Sequence, residues 1–386
     1  MTSVRLRLLI LALLPLAVLM PLLLLVAINR WSANYDNLLI TNVASDLRIA
    51  DQYLQRLLTS TGSEVTSLAR SLRFDEVART APADLPSFLD QNRRALGLDF
   101  LYFMPIKEAR KRGNDWPVIA TATRGQPATE IDIFTPRDLL ALPDTGVALA
   151  MRARVALVAT RAAQPTTRQT EDRGMVVHSA TLVTTPGAEG VLVGGLLLNR
   201  NLDFIDTINA LVYRDTGRAG DRQGTATLFL EDVRISTNVR LFAGERALGT
   251  RVSAAVRSIV LDQGQTWLDS AFVVNDWYIS AYRPLTDSFG KRVGMLYVGF
   301  LQAPFDAAKR RAYLLVLAAF LVVLAVSAPL FLRLARNIFA PLERMTRTME
   351  EVEAGDMTAR IGPVAARDEI GTVAAHLDTL LDQVQE

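Results

Sequence analysis

The sequence contains no cysteine, so disulfide frameworks, thiolate metal sites and cysteine nucleophiles are excluded. Its two histidines, His178 and His376, are too few for a histidine-rich metal site. Phosphate-binding glycine loops, zinc-protease motifs and serine-nucleophile elbows are also missing. The formal net charge of +2 favours no particular partner. We therefore predict no catalytic residue, no cofactor, no metal and no nucleic-acid partner for this chain.

Two long apolar runs decide the class of protein instead. Residues 8–28 and residues 312–332 contain no charged side chain, and about 20 such residues cross the hydrocarbon core of a bilayer as a helix. A buried core helix is the alternative for both runs, and a cleaved signal peptide is a further alternative for the first. Their length and their flanking arginines favour two transmembrane helices in a lipid bilayer.

The basic residues give a less direct indication of orientation. Arg5 and Arg7 precede the first run, but basic residues lie on both sides of the second. Long translocated segments largely escape the positive-inside rule. We therefore predict that both termini are cytoplasmic, with residues 1–7 inside and residues 30–311 outside. The opposite orientation is the alternative.

The period of the apolar residues changes between the two runs. Spacings of three, four and seven predict a long helix over residues 29–76, interrupted by Gly62 and ended by Pro82 and Pro86. Later segments are short and rich in β-branched and aromatic residues, such as "LDFLYFMPI", "WPVIATATR", "RARVALVAT" and "GVLVGGLLLN". This pattern is typical of antiparallel strands.

These patterns predict an α+β fold with two sheet modules in series on the long N-terminal helix. The modules cover residues 77–200 and 222–303. A connecting helix and linker, residues 201–221, joins them. A short helix, residues 304–311, then returns the chain to the membrane.

Residues 333–386 carry two short apolar stripes at heptad-like spacing. Two such helices cannot bury their stripes alone, so a homodimer that forms a four-helix bundle is the economical arrangement. The segment resembles a HAMP domain, the cytoplasmic relay of bacterial transmembrane receptors, although Leu377-Asp378 replaces the usual Phe-Asn pair of that family. The residues that carry the resemblance are Pro341, Gly355, Asp356, Asp368, Glu369, Ile370 and Gly371. Helix capping is the alternative role of the two acidic residues at 368 and 369.

The region between the membrane runs resembles tandem Cache domains, which are PAS-like extracytoplasmic sensor modules. The resemblance rests on "LLLNRNLDFIDTI", "RISTNVRLFAGERALGTRVS" and "FVVNDWYISAYRPLTDSFGKRVGMLYVG", and it covers mainly the second module. It implies that a small metabolite binds between a sheet and its overlying loops. The residue pattern of the amino-acid-binding members is not evident.

In the second module, "FVVNDWYISAYRP" predicts two strands that meet at Asn275-Asp276, with Trp277 and Tyr278 on opposite faces. A pocket for a small carboxylate needs cationic donors beside an aromatic wall. Core packing or a surface ion pair is the alternative role of each candidate. The candidate ligand contacts of this module are Arg240, Arg246, Arg251, Trp277, Tyr278 and Tyr282.

The first module has a second set of candidates on neighbouring predicted strands. Arg152 and Arg154 would share one face of a strand, as an anion site or as a solvated face. His178 has no second histidine or cysteine beside it, so a structural hydrogen bond is its alternative role. The candidates of this module are Tyr102, Trp116, Arg124, Arg152, Arg154 and His178.

Together these features predict a multi-pass receptor of the bacterial inner membrane. It would sense a small extracytoplasmic ligand, with a carboxylate as the expected class, and relay it through HAMP to a cytoplasmic output module or partner. Because the sequence stops in mid-heptad, we expect the output in a longer protein or a partner: a histidine kinase first, with a chemoreceptor or a cyclic-dinucleotide enzyme as alternatives. This chain itself would not be an enzyme. The rival interpretation is a membrane-anchored binding protein that does not signal.

Overall fold

The computed structural model describes residues 18–213, 224–241, 244–363 and 369–385. Asp36–Asp306 form one compact unit, and the described residues on either side of it form a second. The first unit mixes helices with antiparallel sheets, so the predicted α+β class is confirmed.

The first half of the chain combines helices with one large sheet and one small sheet. Its helices are α1 (Met20–Ala69), α2 (Leu72–Thr80), α3 (Leu85–Ala95), α4 (Ile106–Arg112), α5 (Pro117–Thr123), α6 (Pro136–Leu140) and α7 (Gly146–Ala153). Its strands are β1 (Phe100–Pro105), β2 (Ala128–Phe134), β3 (Val155–Ala156), β4 (Thr170–Glu171), β5 (Gly174–Thr185) and β6 (Ala188–Leu197).

The second half contains a further large sheet and two long C-terminal helices. Its helices are α8 (Leu202–Val212), α9 (Ala254–Arg257) with a π-helical turn at Ser258–Asp262, α10 (Ala303–Glu353) and α11 (Glu369–Gln385). Its strands are β7 (Gly224–Leu230), β8 (Val233–Thr237), β9 (Trp267–Val273), β10 (Asp276–Thr286) and β11 (Arg292–Leu301).

The first sheet has the antiparallel order β1-β6-β5-β2 and is covered on both faces. Successive side chains of a strand point to opposite faces. One face, which includes Phe100 and Val176, packs against α4, α5, α6 and α7. The other face, which includes Leu101 and Leu192, packs against α1, α2 and α3. Both faces of this sheet therefore contribute to hydrophobic cores.

The second sheet has the antiparallel order β8-β7-β11-β10-β9. Its β9–β10 hairpin pairs Val273 with Asp276, so the predicted meeting of two strands at Asn275-Asp276 is confirmed. Trp277 is exposed, whereas Tyr278 packs against a core that includes Tyr282. That core lies between the sheet and the segment formed by α9 and the π-helical turn.

Two segments that were predicted as strands are helices. "WPVIATATR" forms α5, with Pro117 at its first turn and Val118, Ile119 and Ala122 buried on one face. "RARVALVAT" begins in α7, and only Val155–Ala156 of it forms a strand. β-Branched composition indicated strands here, but burial of a single helical face against the sheet determined the local structure.

The long N-terminal helix also differs from its prediction. It passes through Gly62 without a break, and the glycine leaves room for Thr129, since a Cβ there would come within 2.4 Å of Thr129 Oγ1. It ends at Ala69, before the predicted end at residue 76, and a new helix starts because Ser71 Oγ accepts a hydrogen bond from Phe74 N (3.1 Å).

Within the described ranges, one helix is long and apolar enough to cross a membrane, namely α10. The separate helix predicted for residues 304–311 is the first part of α10. Many apolar side chains of residues 314–334 are exposed, as expected for a surface that faces lipid. Residues 8–17 of the predicted first span lie outside the described residues.

The last described residues form a small helical pair. Met345 of α10 and Ala374 of α11 pack with Ile361 of the connector. Asp378 accepts hydrogen bonds from the backbone N–H groups of Ile361 (2.8 Å) and Gly362 (3.0 Å), which fixes the connector on α11. The residues that carried the family resemblance are placed as follows: Pro341 inside α10, Gly355 with φ +102°, Glu369, Ile370 and Gly371 in the first turn of α11, and Asp368 outside the described residues.

Candidate ligand-binding site

A cavity of about 190 Å³ lies on the face of the first sheet that is covered by α4, α5 and α6. We call this cavity the pocket. Its aromatic wall contains Tyr102, Trp116 and Phe134, and the ring centroids of Trp116 and Phe134 are 4.8 Å apart. A volume below the ~300–1,000 Å³ of typical drug-sized sites suits a small metabolite.

His178 forms the floor of the pocket from the central strand β5. Its side chain is 1% exposed, and its ring meets Trp116 and Phe134 edge to face, at centroid distances of 5.6 and 5.2 Å. Nδ1 lies 2.8 Å from Oδ2 of Asp132, which is fully buried on β2. Nε2 is also buried and has no hydrogen-bond partner. A buried polar atom without a partner is uncommon and identifies a place where a ligand could bind.

The contact with Asp132 uses one nitrogen of the His178 ring. Asp132 Oδ1 accepts a hydrogen bond from Ser288 Oγ (2.6 Å), and Oδ2 lies 2.8 Å from Nδ1. In the tautomer that carries its proton on Nδ1, Nε2 is a hydrogen-bond acceptor. A ligand that donates an N–H or O–H group would complete this arrangement.

The charged rim of the pocket is acidic overall. Glu108 and Asp138 line it together with one cation, Arg112. Burial raises the pKa of Tyr102 to about 12; Arg112 opposes that rise and the two carboxylates add to it. The Tyr102 phenol is therefore protonated at neutral pH and can donate or accept a hydrogen bond.

Three of the six candidates in the first module line the pocket: Tyr102, Trp116 and His178. The other three do not. Arg124 is exposed beside α5, where its Nη2 donates to Thr121 Oγ1 (3.0 Å).

The prediction that Arg152 and Arg154 share one face of a strand is wrong, because Arg152 lies in α7 and Arg154 is its C-cap. Arg152 donates two hydrogen bonds to Asp99, whose Oδ2 also accepts from Leu197 N (2.7 Å). Arg154 lies 3.2 Å from Asp172.

In the second module, the predicted arginines bind acceptors of the protein itself. Arg246 forms a bidentate ion pair with Asp206 of α8, in which Nη1 donates to Oδ1 (2.9 Å) and Nη2 donates to Oδ2 (2.8 Å). Arg251 pairs with Asp232 (2.6 Å), and Arg240 donates to Gly244 O (2.6 Å).

The aromatic candidates of the second module lie elsewhere on its sheet. Trp277 is 57% exposed and packs edge to face on Phe272. Tyr282 is buried against Tyr297, with ring centroids 4.7 Å apart. Among the described residues, the structure therefore does not bring the three arginines together with Trp277, Tyr278 and Tyr282 in one pocket.

Sequence reasoning missed several residues of the pocket region. Glu108 and Arg112 belong to the charged segment "IKEARKR", which looks like a solvated helix face. Asp132 and Ser288 are 156 residues apart, so no local pattern could pair them. In the second sheet it also missed Arg234, a buried guanidinium that lies 4.9 Å from the Phe229 ring.

Comparison with family models assigns two parts of the chain. Residues 196–312 match the model described as single cache domain 3, and residues 333–386 match the HAMP domain model. The chain carries a Cache domain and a HAMP domain. With the apolar part of α10 between them, the two domains make this protein a sensory receptor of the inner membrane. A search of curated proteins gave no significant match.

Three solved sensor domains are similar to this Cache–HAMP protein. The periplasmic domain of Vibrio cholerae LuxQ is 13% identical, with 68% of this chain and 98% of that chain covered and a TM-score of 0.32. The sensory domain of the Campylobacter jejuni chemoreceptor Tlp3, solved with isoleucine bound, is 9% identical, with 70% and 93% covered and a TM-score of 0.32. The ligand-binding domain of the Pseudomonas aeruginosa PAO1 amino acid chemoreceptor PctB, solved with L-Arg, is 13% identical, with 70% and 97% covered and a TM-score of 0.30.

Proposed function

We propose that this chain is the input half of a homodimeric receptor, that its pocket binds a small extracytoplasmic ligand, and that its HAMP domain relays the bound state to a cytoplasmic output. The observation that carries the proposal is the partnerless Nε2 of His178 on the floor of the pocket. A buried polar atom in this state costs about 1–3 kcal/mol. A ligand that pairs with it recovers part of this free energy.

The groups around the pocket favour a ligand that carries an ammonium group. In the tautomer protonated on Nδ1, Nε2 of His178 needs a hydrogen-bond donor. Glu108 and Asp138 attract a cation, and the aromatic ring of Trp116 lines the same pocket. Arg112 can pair with a carboxylate at the other end of the same ligand. We therefore revise the expected class from a simple carboxylate to an amine or a zwitterion.

We assign the two sheets to two Cache modules. The second sheet lies within the segment that matches the family model. The first sheet repeats its plan, since both are antiparallel sheets with a hydrophobic core under short helices. In this assignment the first module binds the ligand, and the second module transmits the bound state towards the membrane helices.

We also propose two membrane spans, formed by the N-terminal part of α1 and by α10. Three aromatic rings join the two helices where each predicted span borders the sensor region. The ring of Trp31 stacks on that of Tyr35, with centroids 5.4 Å apart, and contacts the ring of Tyr313 edge to face at 5.9 Å. Lys309 Nζ lies 5.7 Å from the Tyr35 ring. Aromatic and basic side chains collect at membrane–water interfaces, which supports an interface at this level.

The output is proposed to be a histidine kinase, with a chemoreceptor or a cyclic-dinucleotide enzyme as the alternatives. Coding sequence after Glu386 distinguishes them. A histidine-bearing helix pair with an ATP-binding module supports the kinase, and a long heptad hairpin supports the chemoreceptor. A natural stop at this point, with no partner, favours a binding protein that does not signal.

Thermal unfolding of the full chain in nanodiscs tests the ligand class. Ethanolamine, glycine and L-alanine are compared with acetate and lactate, each at 10 mM. Saturation to about 100 times Kd stabilises by about 2.7 kcal/mol, which raises Tm by about 5–10 °C for a domain of this size. We expect such a rise with at least one ammonium compound and none with the two plain carboxylates.

Two variants locate the binding site in that experiment. Glu108→Gln should weaken binding of the stabilising compound about fivefold, because it removes about 1 kcal/mol of ion pairing. Glu189→Gln, at an exposed position near the start of β6, is the matched control and should bind as the wild type does. A Tm rise with acetate alone, or a shift abolished by Arg246→Ala, would contradict the assignment.

A further inference from the structure

The turn between β10 and β11 of the second sheet reaches the underside of the pocket. Ser288 Oγ donates to Asp132 Oδ1 (2.6 Å), and Ser288 N donates to Ile131 O (3.1 Å) and makes a longer contact with Asp132 Oδ1 (3.4 Å). Ser288 is half-buried in this position, and Asp132 has no exposed surface. One residue of the second sheet is therefore anchored on the strand that carries the partner of His178.

Asp132 joins the two ends of a continuous hydrogen-bonded chain. Its Oδ2 lies within hydrogen-bond distance of Nδ1 of His178 (2.8 Å), and its Oδ1 accepts a hydrogen bond from the Ser288 hydroxyl. The far nitrogen of His178, Nε2, is buried without a hydrogen-bond partner in a residue that lines the pocket. Polar groups linked in this way polarise one another in a low-dielectric interior. A hydrogen bond made to Nε2 therefore changes how strongly the same carboxylate holds Ser288.

A second contact joins the same turn to the pocket wall. The Phe289 ring lies 6.2 Å from the ring of Trp116, which itself packs edge to face on His178. Phe289 is 58% exposed, so burial in a core does not explain its position. A ligand that moves the Trp116 ring acts on the same turn as a ligand that binds His178.

The turn between β10 and β11 is held together by hydrogen bonds of its own. Asp287 Oδ1 accepts hydrogen bonds from the backbone of Phe289 (3.0 Å) and Lys291 (2.8 Å), and Asp287 N donates to Lys291 O (2.9 Å). Gly290 adopts a φ of +76°, which closes the turn without strain. β11 leaves this turn and ends at Leu301, two residues before α10 begins.

We propose that Asp132 and Ser288 are positioning residues that couple the pocket to the second sheet, with His178 as the group that senses the ligand. Ligand donation to Nε2 strengthens the Nδ1–Asp132 bond and draws the carboxylate charge towards Oδ2. The Ser288 contact at Oδ1 weakens as a result, and the β10–β11 turn is released. The size of this population shift is limited by the difference in ligand affinity between the docked and released turns. This inference rests on the proposed function of the pocket.

Hydrogen exchange of the full chain in nanodiscs, without added ligand, tests the coupling by removing the sensing group. We expect His178→Ala to raise the exchange rates of the 288–290 amides about tenfold, because Asp132 loses the partner that orients it. His178→Asn should return them to within about threefold of wild type, since its amide nitrogen can take the place of Nδ1. Glu189→Ala, at an exposed position near the start of β6, is the control and should leave these amides unchanged.

Two results would overturn the coupling. The first is that the exchange rates of the 288–290 amides are unchanged in His178→Ala. The second is that these rates rise equally in His178→Ala and His178→Asn, which would assign the effect to the lost side-chain volume and not to the lost hydrogen bond. If His178→Ala raises exchange throughout the chain because it fails to fold, Asp132→Asn decides: unchanged 288–290 amides in that variant reject the relay. Since no ligand is present, a failed ligand screen rejects the proposed function without affecting this result, and the reverse also holds.

Discussion

Glu171→Gln should destabilise the sensor region, because Glu171 is the buried centre of a four-charge network. Its carboxylate side chain is 2% exposed and binds Arg168 and two nitrogens of Arg173 (2.8 Å each for the Arg173 contacts). Both arginines also reach Glu231 in the turn between β7 and β8, at 3.3 and 2.9 Å. The hydrogen bonds that Arg173 donates to Glu171 are the main cause that raises the pKa of Arg173 above its usual value. The variant leaves two cations around one neutral amide.

The size of the loss in unfolding free energy depends on the contacts that Arg168 and Arg173 retain in the variant. Removing one member of a buried ion pair costs about 3–5 kcal/mol when the remaining charge is stranded. Arg168 and Arg173 are 39% and 31% exposed and retain Glu231, so water and that carboxylate offset part of the loss. We therefore expect a loss of about 2–3 kcal/mol, equivalent to a fall in Tm of about 5–10 °C.

Thermal unfolding of the full chain in nanodiscs, followed by circular dichroism, measures this loss. Glu189→Gln makes the same chemical change at an exposed position near the start of β6 and should shift Tm by less than about 2 °C. Addition of salt to about 1 M should reduce the Glu171→Gln effect only in part, because the pair is shielded from solvent. A fall in Tm no larger than that of the control would refute the reasoning. It would show that this network contributes as little to stability as solvent-exposed ion pairs do.

Two further expectations concern a close packing contact and acid stability. Gly195→Ala should cost about 3 kcal/mol or more in urea unfolding, since a Cβ there would lie 1.8 Å from Val177 O and 2.6 Å from the Phe100 ring; a loss below about 1 kcal/mol would contradict this packing. Burial alone would raise the pKa of Glu231, but the hydrogen bond and charge of Arg173, together with the charges of Arg168 and Lys291, outweigh burial and lower it. The stability that Glu231 contributes is therefore complete above its unfolded pKa of about 4.3 and is lost as pH falls through the lower folded value. Glu231→Gln should lose less Tm than wild type between pH 6 and pH 3, and equal losses would contradict the assignment.

The periodicity of the sequence predicted the parts of the fold that depend on local patterning. The amphipathic α1, the hairpin at Asn275-Asp276 and the HAMP segment were all visible as spacing or motif. The end of α1 was misplaced because Ser71 starts a second helix there, which a pattern of apolar residues cannot show. α5 was missed because its buried valine and isoleucine have the composition of a strand.

The pocket could be predicted only in part, and the reason is its dependence on distant residues. Tyr102, Trp116 and His178 were candidates because aromatic and imidazole side chains are informative wherever they occur. Glu108 looked like a residue of a solvated charge run, and its role depends on the position of α4 over the sheet. The arginines of the second module were plausible anion ligands by type. Their acidic partners became visible only in the tertiary structure, as Asp206 shows for Arg246.

Some contacts between the two halves lie away from the pocket, and two contacts of the β10–β11 turn reach the pocket region. The charge network around Glu171 and the Arg251 contact with Gln164 O (2.5 Å) join the halves away from the pocket lining. The Asp132–Ser288 contact is the one among these three that shares a residue with the pocket floor through His178. In the proposed relay, the other contacts keep the two halves associated while this one weakens. Release of the turn can therefore change the state of the second sheet without separation of the modules, which is what a relay between two modules requires.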